Sequence, residues 1–128
     1  MTVLTITSFG YGHGEPPAAT VTVDLRAILR DPHINPALRY MTAHDDEVRA
    51  TVWRTPGATE LLTDLVQLAA TLRSLAERTG TPTSIAIGCA GGRHRAATFA
   101  MAIHEFLAKG GKPADLVHRD LHRDVIER

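Results

Sequence analysis

The chain has 128 residues, 14 basic and 14 acidic side chains, and a pI of about 7.1. That length fits one domain with a single core, and zero net charge argues against binding of nucleic acid by bulk charge. The single cysteine excludes an intramolecular disulfide framework, so we expect a reducing, cytoplasmic setting. The first residues lack the features of a signal peptide. No apolar run approaches the ~18 residues that a membrane span requires.

The first third of the chain predicts two strands. Residues 3–9, V-L-T-I-T-S-F, alternate with a period of two, and residues 10–17, with three glycines and two prolines, end that strand in a loop. This loop has two interpretations: it brings the backbone close to a ligand, or it is a surface turn without a function. Residues 20–25, T-V-T-V-D-L, predict the second strand. Asp24 and Arg26 share one face at its end, where they either hold a sugar hydroxyl and an anion or form a salt bridge.

Two helices are predicted in the middle of the chain. Asp45 is the expected N-cap of a short helix with Val48 and Val52 on its apolar side, and the acidic residues 45–47 suit a solvated helix start better than a metal site. Thr55 and the following proline predict the start of a second helix. Its apolar residues repeat at intervals of three and four between positions 61 and 76. Gly80 ends it.

A strand, a glycine-rich turn and a helix follow in direct succession. The apolar run at residues 85–87 predicts a strand over residues 83–87, residues 88–95 (G-C-A-G-G-R-H-R) form the turn, and the helix runs to about Lys109. The predicted apolar face of this helix includes Ala96, Phe99, Ala100, Ile103, Phe106 and Leu107. This layout gathers free backbone N–H groups at a positive helix end, which attracts phosphate. Cationic side chains are unfavourable at that end unless an anion offsets them.

Cys89 and Arg95 have the Cys-x5-Arg spacing of cysteine-dependent phosphatases. The turn and Arg95 would stabilise a thiolate nucleophile. The usual phosphatase turn has His before the cysteine and Ser or Thr after the arginine, whereas this chain has Gly88 and Ala96. Cys89 as a small core residue is the simpler alternative.

Residues 115–121 predict a last strand that continues the parallel layer. The H-R-D-L at positions 118–121 copies a kinase signature, but the other kinase motifs are absent from the sequence. On a strand, His118 and His122 would lie ~13 Å apart, too far to share a metal ion. We therefore predict no metal site and no cofactor. The chain also lacks a Walker-type phosphate loop.

Five blocks, in order along the chain, resemble the C-terminal domain of the RapZ (RNase adapter) family. They are S-F-G-Y at 8–11, V-D-L-R at 23–26, D-P-H at 31–33, I-A-I-G-C-A-G-G-R-H-R at 85–95 and V-H-R-D-L at 117–121. The resemblance implies a domain that binds glucosamine-6-phosphate and contacts small regulatory RNA. In that family the domain follows a Walker-type nucleotide-binding domain and forms dimers.

The resemblance also implies residue roles. The phosphate site comprises Cys89, Ala90, Gly91, Gly92, His94 and Arg95, and Asp24, Arg26 and His33 border the sugar. Ala90 and Ala96 stand where the family usually has hydroxyl residues, so two donors to a phosphate are missing.

The sequence therefore predicts one α/β domain over residues 1–128, with a four- or five-stranded, mostly parallel or mixed sheet and about three helices. We expect it to bind a phosphorylated small molecule as a sensor. Arg95 would grip the phosphate as a fork, with Arg26 assisting. The amides of residues 91–94, Arg93 included, would donate to the phosphate oxygens. His33 and His94 would make the affinity depend on pH.

The alternatives are a phosphatase and an RNA adapter. The RNA adapter would use a local basic patch of Arg93, Arg119, His122 and Arg123. We expect a homodimer that does not bind membranes, and a separate NTPase as the partner that supplies the missing nucleotide-binding half.

Overall fold

The computed structural model describes residues 3–126, which form four strands and three α-helices. In chain order these are β1 (Leu4–Gly10), β2 (Val21–Asp24), α1 (Asp46–Trp53), α2 (Ala58–Thr79), β3 (Thr83–Cys89), α3 (Arg95–Lys109) and β4 (Asp115–His118). Short 3₁₀ turns occur at Tyr11–His13 and Pro32–Ile34. The predicted α/β class, the number of strands and the number of helices are confirmed.

All neighbouring strands of the sheet are parallel, in the order β2-β3-β1-β4. The carboxyl ends of the four strands therefore lie along one edge. From β1 the chain continues to β2 on one side, whereas from β3 it continues through α3 to β4 on the other. In open parallel sheets, ligands usually bind outside the carboxyl ends of the strands, which is this edge.

One face of the sheet carries the core. The register pairs Ile6 with Ile85 and with Leu116, so these side chains share a face. Ile6 and Ile85 are fully buried against residues of α2 and α3, among them Leu72 and Phe99. Burying each such side chain contributes roughly 1.5–3 kcal/mol. The opposite face is polar and partly or fully exposed at Thr5, Thr7, Thr22 and Ser84, whereas Ala86 and Phe9 on that face are buried. The domain therefore has two layers.

Helix α2 begins later than predicted. Its first residue is Ala58, preceded by Gly57 at a φ of 89°, because the Thr55 hydroxyl accepts a hydrogen bond from the Arg30 amide at 2.9 Å and does not cap the helix. Gly80, at a φ of 74°, ends the helix as predicted. Within residues 3–126, no helix is both long and apolar enough to cross a membrane.

Three other local predictions are wrong. The last strand stops at His118, because the chain turns there and the carboxylate of Asp120 binds the Gly10 amide at 2.7 Å. Asp45 precedes α1 as expected, but its carboxylate accepts from the Thr42 amide at 2.9 Å and does not cap the helix. Phe106 is 55% exposed, because it lies at the margin of the apolar stripe of α3 beside a groove on α2.

Candidate anion-binding site

The turn between β3 and α3 packs directly on the end of β1. A Cβ atom at Gly10 would lie 2.4 Å from the carbonyl carbon of Gly91. Gly92 has a φ of +77°, and a Cβ there would lie 2.7 Å from the Gly10 nitrogen. Two backbones approach closely here, and both the space and the backbone conformation require glycine.

The turn is held through its carbonyl groups. The carbonyl oxygens of Ala90, Arg93 and His94 accept hydrogen bonds from the amides of Gly12, Ala43 and Thr98 at 3.0, 2.9 and 3.0 Å. In contrast, the amides of residues 91–94 donate to no other residue in the described part of the chain. These N–H groups stand beside the N-terminus of α3, where the helix dipole is positive. The local geometry therefore leaves a run of unpaired donors at one point.

A small cleft adjoins this turn. Its free space is about 10 Å³, which is room for roughly one water molecule. It is lined by Asp31, His33, Arg39, Cys89, Gly91, Arg93, His94, Arg95, Val125 and Ile126. Three guanidinium groups and two imidazoles thus face one carboxylate around the cleft, and this charge balance favours an anion.

Arg95 is anchored inside the protein. Its side chain is 3% exposed, its Nη2 lies 3.1 Å from Oδ2 of Asp31, and its Nη1 donates to the Arg26 carbonyl at 2.8 Å. The two terminal nitrogens, which the sequence assigned to a phosphate, therefore bind the protein itself. The Nε of Arg95 is buried and has no hydrogen-bond partner among residues 3–126.

Arg93 follows the same pattern. Its Nη1 donates to the Arg123 carbonyl at 2.8 Å and its Nη2 to the Tyr40 carbonyl at 2.6 Å. Its Nε is buried and unpaired within the described residues. A buried donor without a partner is costly, so we expect a water molecule, an ion or a ligand group to accept from this atom.

His94 is buried, and its Nε2 lies 2.8 Å from the carbonyl oxygen of Met41. Because a carbonyl only accepts, Nε2 carries the proton. Burial lowers the pKa of His94, and the opposing effects of the Met41 carbonyl and of Asp31 do not cancel it. The imidazole is therefore predominantly neutral at pH 7.

Cys89 lines the cleft at the end of β3. It is 2% exposed, and its Sγ accepts a hydrogen bond from the Ala96 amide at 3.4 Å. The thiol is thus covered in this state and contacts the first turn of α3.

Asp24 and Arg26 pair with each other outside this cleft. The Arg26 Nη2 lies 2.7 Å from Oδ2 of Asp24, and the guanidinium stacks over the Tyr11 ring at 3.7 Å. This hydrogen bonding from Arg26 lowers the pKa of Asp24. Neither side chain is among the residues that line the cleft. His33 does line it, and its Nε2 donates to the Ile126 carbonyl at 3.2 Å.

Sequence reasoning missed three residues of the site. Asp31 pairs with Arg95, and Arg39 donates from Nε to the His33 carbonyl at 2.9 Å. The third is Asp120, which is fully buried and binds the Gly10 amide. Asp31 belongs to the D-P-H block and Asp120 to the H-R-D block. The resemblance of these blocks to the family could have identified both residues. Arg39 could not be predicted as a site residue, because it lies in a loop whose sequence has no periodic pattern.

The predicted RNA-contacting residues follow β4. Arg119 forms an ion pair with Asp120 at 2.9 Å, and Arg123 lies 3.1 Å from the same carboxylate. The imidazole of His122 stacks on that of His44 with ring centroids 6.0 Å apart. Since Arg93 binds the Arg123 carbonyl, these basic side chains lie together beside the cleft.

Comparison with known proteins supports the assignment to a family. Residues 2–122 match the family model described as the RapZ C-terminal domain. The chain is 39% identical over 123 residues to a nucleotide-binding protein of Desulforudis audaxviator, covering 95% of this chain and 42% of that protein. It is 42% identical over 124 residues to a nucleotide-binding protein of Streptomyces griseus, covering 94% of this chain and 36% of the relative.

A nucleotide-binding protein of Thermobifida fusca is 36% identical over 120 residues, covering 93% of this chain and 40% of the relative. The chain thus spans about two fifths of the length of these relatives. The chain belongs to the RapZ C-terminal domain family.

Proposed function

We propose that this domain binds a phosphorylated small molecule, with the phosphate held by residues 89–95. One observation carries the proposal: the unpaired amides of residues 91–94 and the unpaired Nε atoms of Arg93 and Arg95 belong to the same cleft-lining segment. Each buried donor without a partner costs about 1–3 kcal/mol. Phosphate oxygens would accept from these donors and remove that cost.

The charges around the cleft support the same ligand class. A phosphate dianion beside His94 would raise the pKa of this imidazole, which burial holds low in the free protein. Binding would then take up a proton, and affinity would increase as pH falls. Asp31, the carboxylate that lines the cleft, suits a hydroxyl or an amine on the organic part of the ligand.

The ligand that the family resemblance implies is a sugar phosphate such as glucosamine-6-phosphate. His33 would border the sugar, because it lines the cleft. Asp24 and Arg26 would reach the sugar only if their mutual ion pair opened. The names of the relatives point to nucleotides as well, and a nucleotide offers the same phosphate to the turn. The binding experiment therefore includes both classes.

Isothermal titration with glucosamine-6-phosphate, glucosamine, inorganic phosphate and ATP tests the proposal. We expect saturable binding of the sugar phosphate and none of glucosamine. Arg93→Met should weaken binding roughly 10–100-fold, the equivalent of one charge-assisted hydrogen bond at 1.5–3 kcal/mol. Arg78→Met, on the exposed surface of α2, is the matched control and should bind normally. If no phosphate compound binds, the proposed function is wrong.

The phosphatase alternative has a separate outcome. Under the binding proposal, neither the wild type nor Cys89→Ser turns over a phosphate ester. Turnover of an aryl phosphate that is abolished in Cys89→Ser would instead assign an enzyme.

An RNA-adapter role is the second candidate, since His122 and Arg123 are exposed beside the cleft. A salt-dependent shift of RNA that weakens in Arg123→Gln would support it. A dimer and a separate NTPase partner are part of the same proposal, and sedimentation velocity measures the former.

A further inference from the structure

We propose that residues 123–126, called the strap below, form a movable wall that keeps the anion cleft closed until a ligand enters. The proposal rests on the proposed function for its purpose, but its structural content is testable without any ligand. The strap follows the turn after β4, and Val125 and Ile126 line the cleft.

The strap is held by two residues of the cleft. The Ile126 carbonyl accepts a hydrogen bond from Nε2 of His33 at 3.2 Å, and the Arg123 carbonyl accepts from Nη1 of Arg93 at 2.8 Å. Both donors are cations or potential cations that a bound phosphate compound would attract. The strap carbonyls therefore occupy donors that would otherwise be available to a ligand.

An apolar contact completes the closure. The Cδ1 atom of Ile126 lies 2.3 Å from the position that a Cβ on Gly12 would take, so the side chain fills the space that this glycine leaves open. The Gly12 amide in turn donates to the Ala90 carbonyl at 3.0 Å. Ile126 thus rests on the loop that supports the anion-binding turn.

The closed cleft is too small for the proposed ligand. Its free space of about 10 Å³ compares with roughly 300 Å³ or more for small-molecule pockets. The wall at Gly91 is fixed by close backbone packing against Gly10, and the wall formed by Arg95 and Asp31 is fixed by their ion pair. The strap lies outside every helix and strand, and such segments open most easily. Opening of the strap is therefore the route that the geometry favours.

Closure has a thermodynamic consequence. The apparent dissociation constant equals the intrinsic one divided by the fraction of molecules in the open state. A ligand that binds only the open state must displace the strap from His33 and Arg93. Loosening the strap at a contact that the ligand does not use, such as that of Ile126, should accordingly tighten binding and speed association.

The thiol of Cys89, the sole cysteine, reports on this opening. We would measure the labelling rate of Cys89 by an aromatic disulfide reagent in the wild type and two variants. Ile126→Ser removes the strap contact, and Gly12→Ala pushes Ile126 away by overlap with the flexible end of its side chain. We expect each to accelerate labelling at least tenfold. Leu75→Ser, on the exposed surface of α2, is the control and should label like the wild type.

Two variants keep the test decisive. If Ile126→Ser is unfolded by circular dichroism, Gly12→Ala alone decides. Wild-type labelling rates in the folded variants would overturn the strap proposal. Both variants act on the contact between Gly12 and Ile126, and the added Cβ of Gly12→Ala also lies 3.2 Å from the Ala90 carbonyl oxygen. Their double variant should label no faster than the quicker single variant, and multiplied rates would contradict a shared contact.

A ligand arm separates this proposal from the proposed function. Glucosamine-6-phosphate or inorganic phosphate should protect Cys89 from labelling in Ile126→Ser at lower concentration than in the wild type. If neither compound protects or binds, the binding proposal fails, while the labelling rates without ligand still decide whether the strap closes the cleft. If phosphate binds the wild type and the variant equally, the strap does not regulate access.

Discussion

Gly92→Ala tests whether the anion-binding turn depends on the contact between two backbones. Gly92 has a φ of +77°, and an added Cβ would lie 2.7 Å from the Gly10 nitrogen and 2.9 Å from the Phe9 carbonyl carbon. The left-handed conformation costs alanine about 1–2 kcal/mol, and overlap with backbone atoms that cannot step aside costs about 1–3 kcal/mol more. We expect the free energy of unfolding to fall by about 2–5 kcal/mol.

Gly80→Ala is the matched control. Gly80 has a φ of +74° but nothing within 4 Å of an added Cβ, so only the backbone term of about 1–2 kcal/mol applies. Urea unfolding followed by circular dichroism measures both variants, and thermal melting should place Gly92→Ala lower by about 4 °C for each additional kcal/mol. Equal destabilisation of the two variants would refute the close approach of Gly92 to the end of β1.

Two further predictions concern charge. Burial lowers the pKa values of His94 and His118. As pH falls below ~6.5, the unfolded chain therefore takes up protons at these positions before the folded protein does. The free energy of unfolding is highest above pH ~6.5 and declines as pH falls through the lower pKa values of the folded state. The urea midpoint should therefore be lower at pH 5.5 than at pH 7.5; a higher midpoint at pH 5.5 would contradict this. Burial alone would raise the pKa of Asp120, but its hydrogen bonds from Arg119 and from the Gly10 amide outweigh burial and lower it. Asp120→Asn should cost about 2–3 kcal/mol at pH 7. Because the pKa of Asp120 is lower in the folded protein than in the unfolded chain, this difference should begin to shrink below pH ~3.9, where the unfolded carboxylate protonates, and should shrink further as pH falls through the lower folded value. Asp124→Asn, at an exposed position, should change stability by less than about 0.5 kcal/mol, and an equal loss there would show that the ion pairs of Asp120 are not the cause.

Short-range patterns predicted most of the fold. Alternation located β1 and β2, the three- and four-residue repeat located α2, and glycine at position 80 marked its end. These features depend on residues that are close together in the sequence, so the local sequence is sufficient to predict them. The strand, turn and helix around residues 83–109 were predicted for the same reason.

The sequence could not predict how polar groups pair over long distances. From the sequence, Asp24 and Arg26 could either bind a ligand or form a salt bridge with each other. In the folded chain they form the salt bridge. It assigned the terminal nitrogens of Arg95 to a phosphate, but Asp31, 64 positions away, binds one of them. The start of α2 was misplaced for a related reason, because the Thr55 hydroxyl binds the amide of Arg30.

By itself, then, the amino-acid sequence determined the order of strands and helices, the glycine-rich turn at the start of α3 and the family to which these blocks belong. The tertiary structure alone decided that β1 lies beside β3, that Asp120 anchors Gly10, and that residues 123–126 cover the cleft. The reason is physical: periodicity records which face of an element is buried, whereas partners 60 to 110 positions apart are chosen only when the sheet brings the strand ends to one edge.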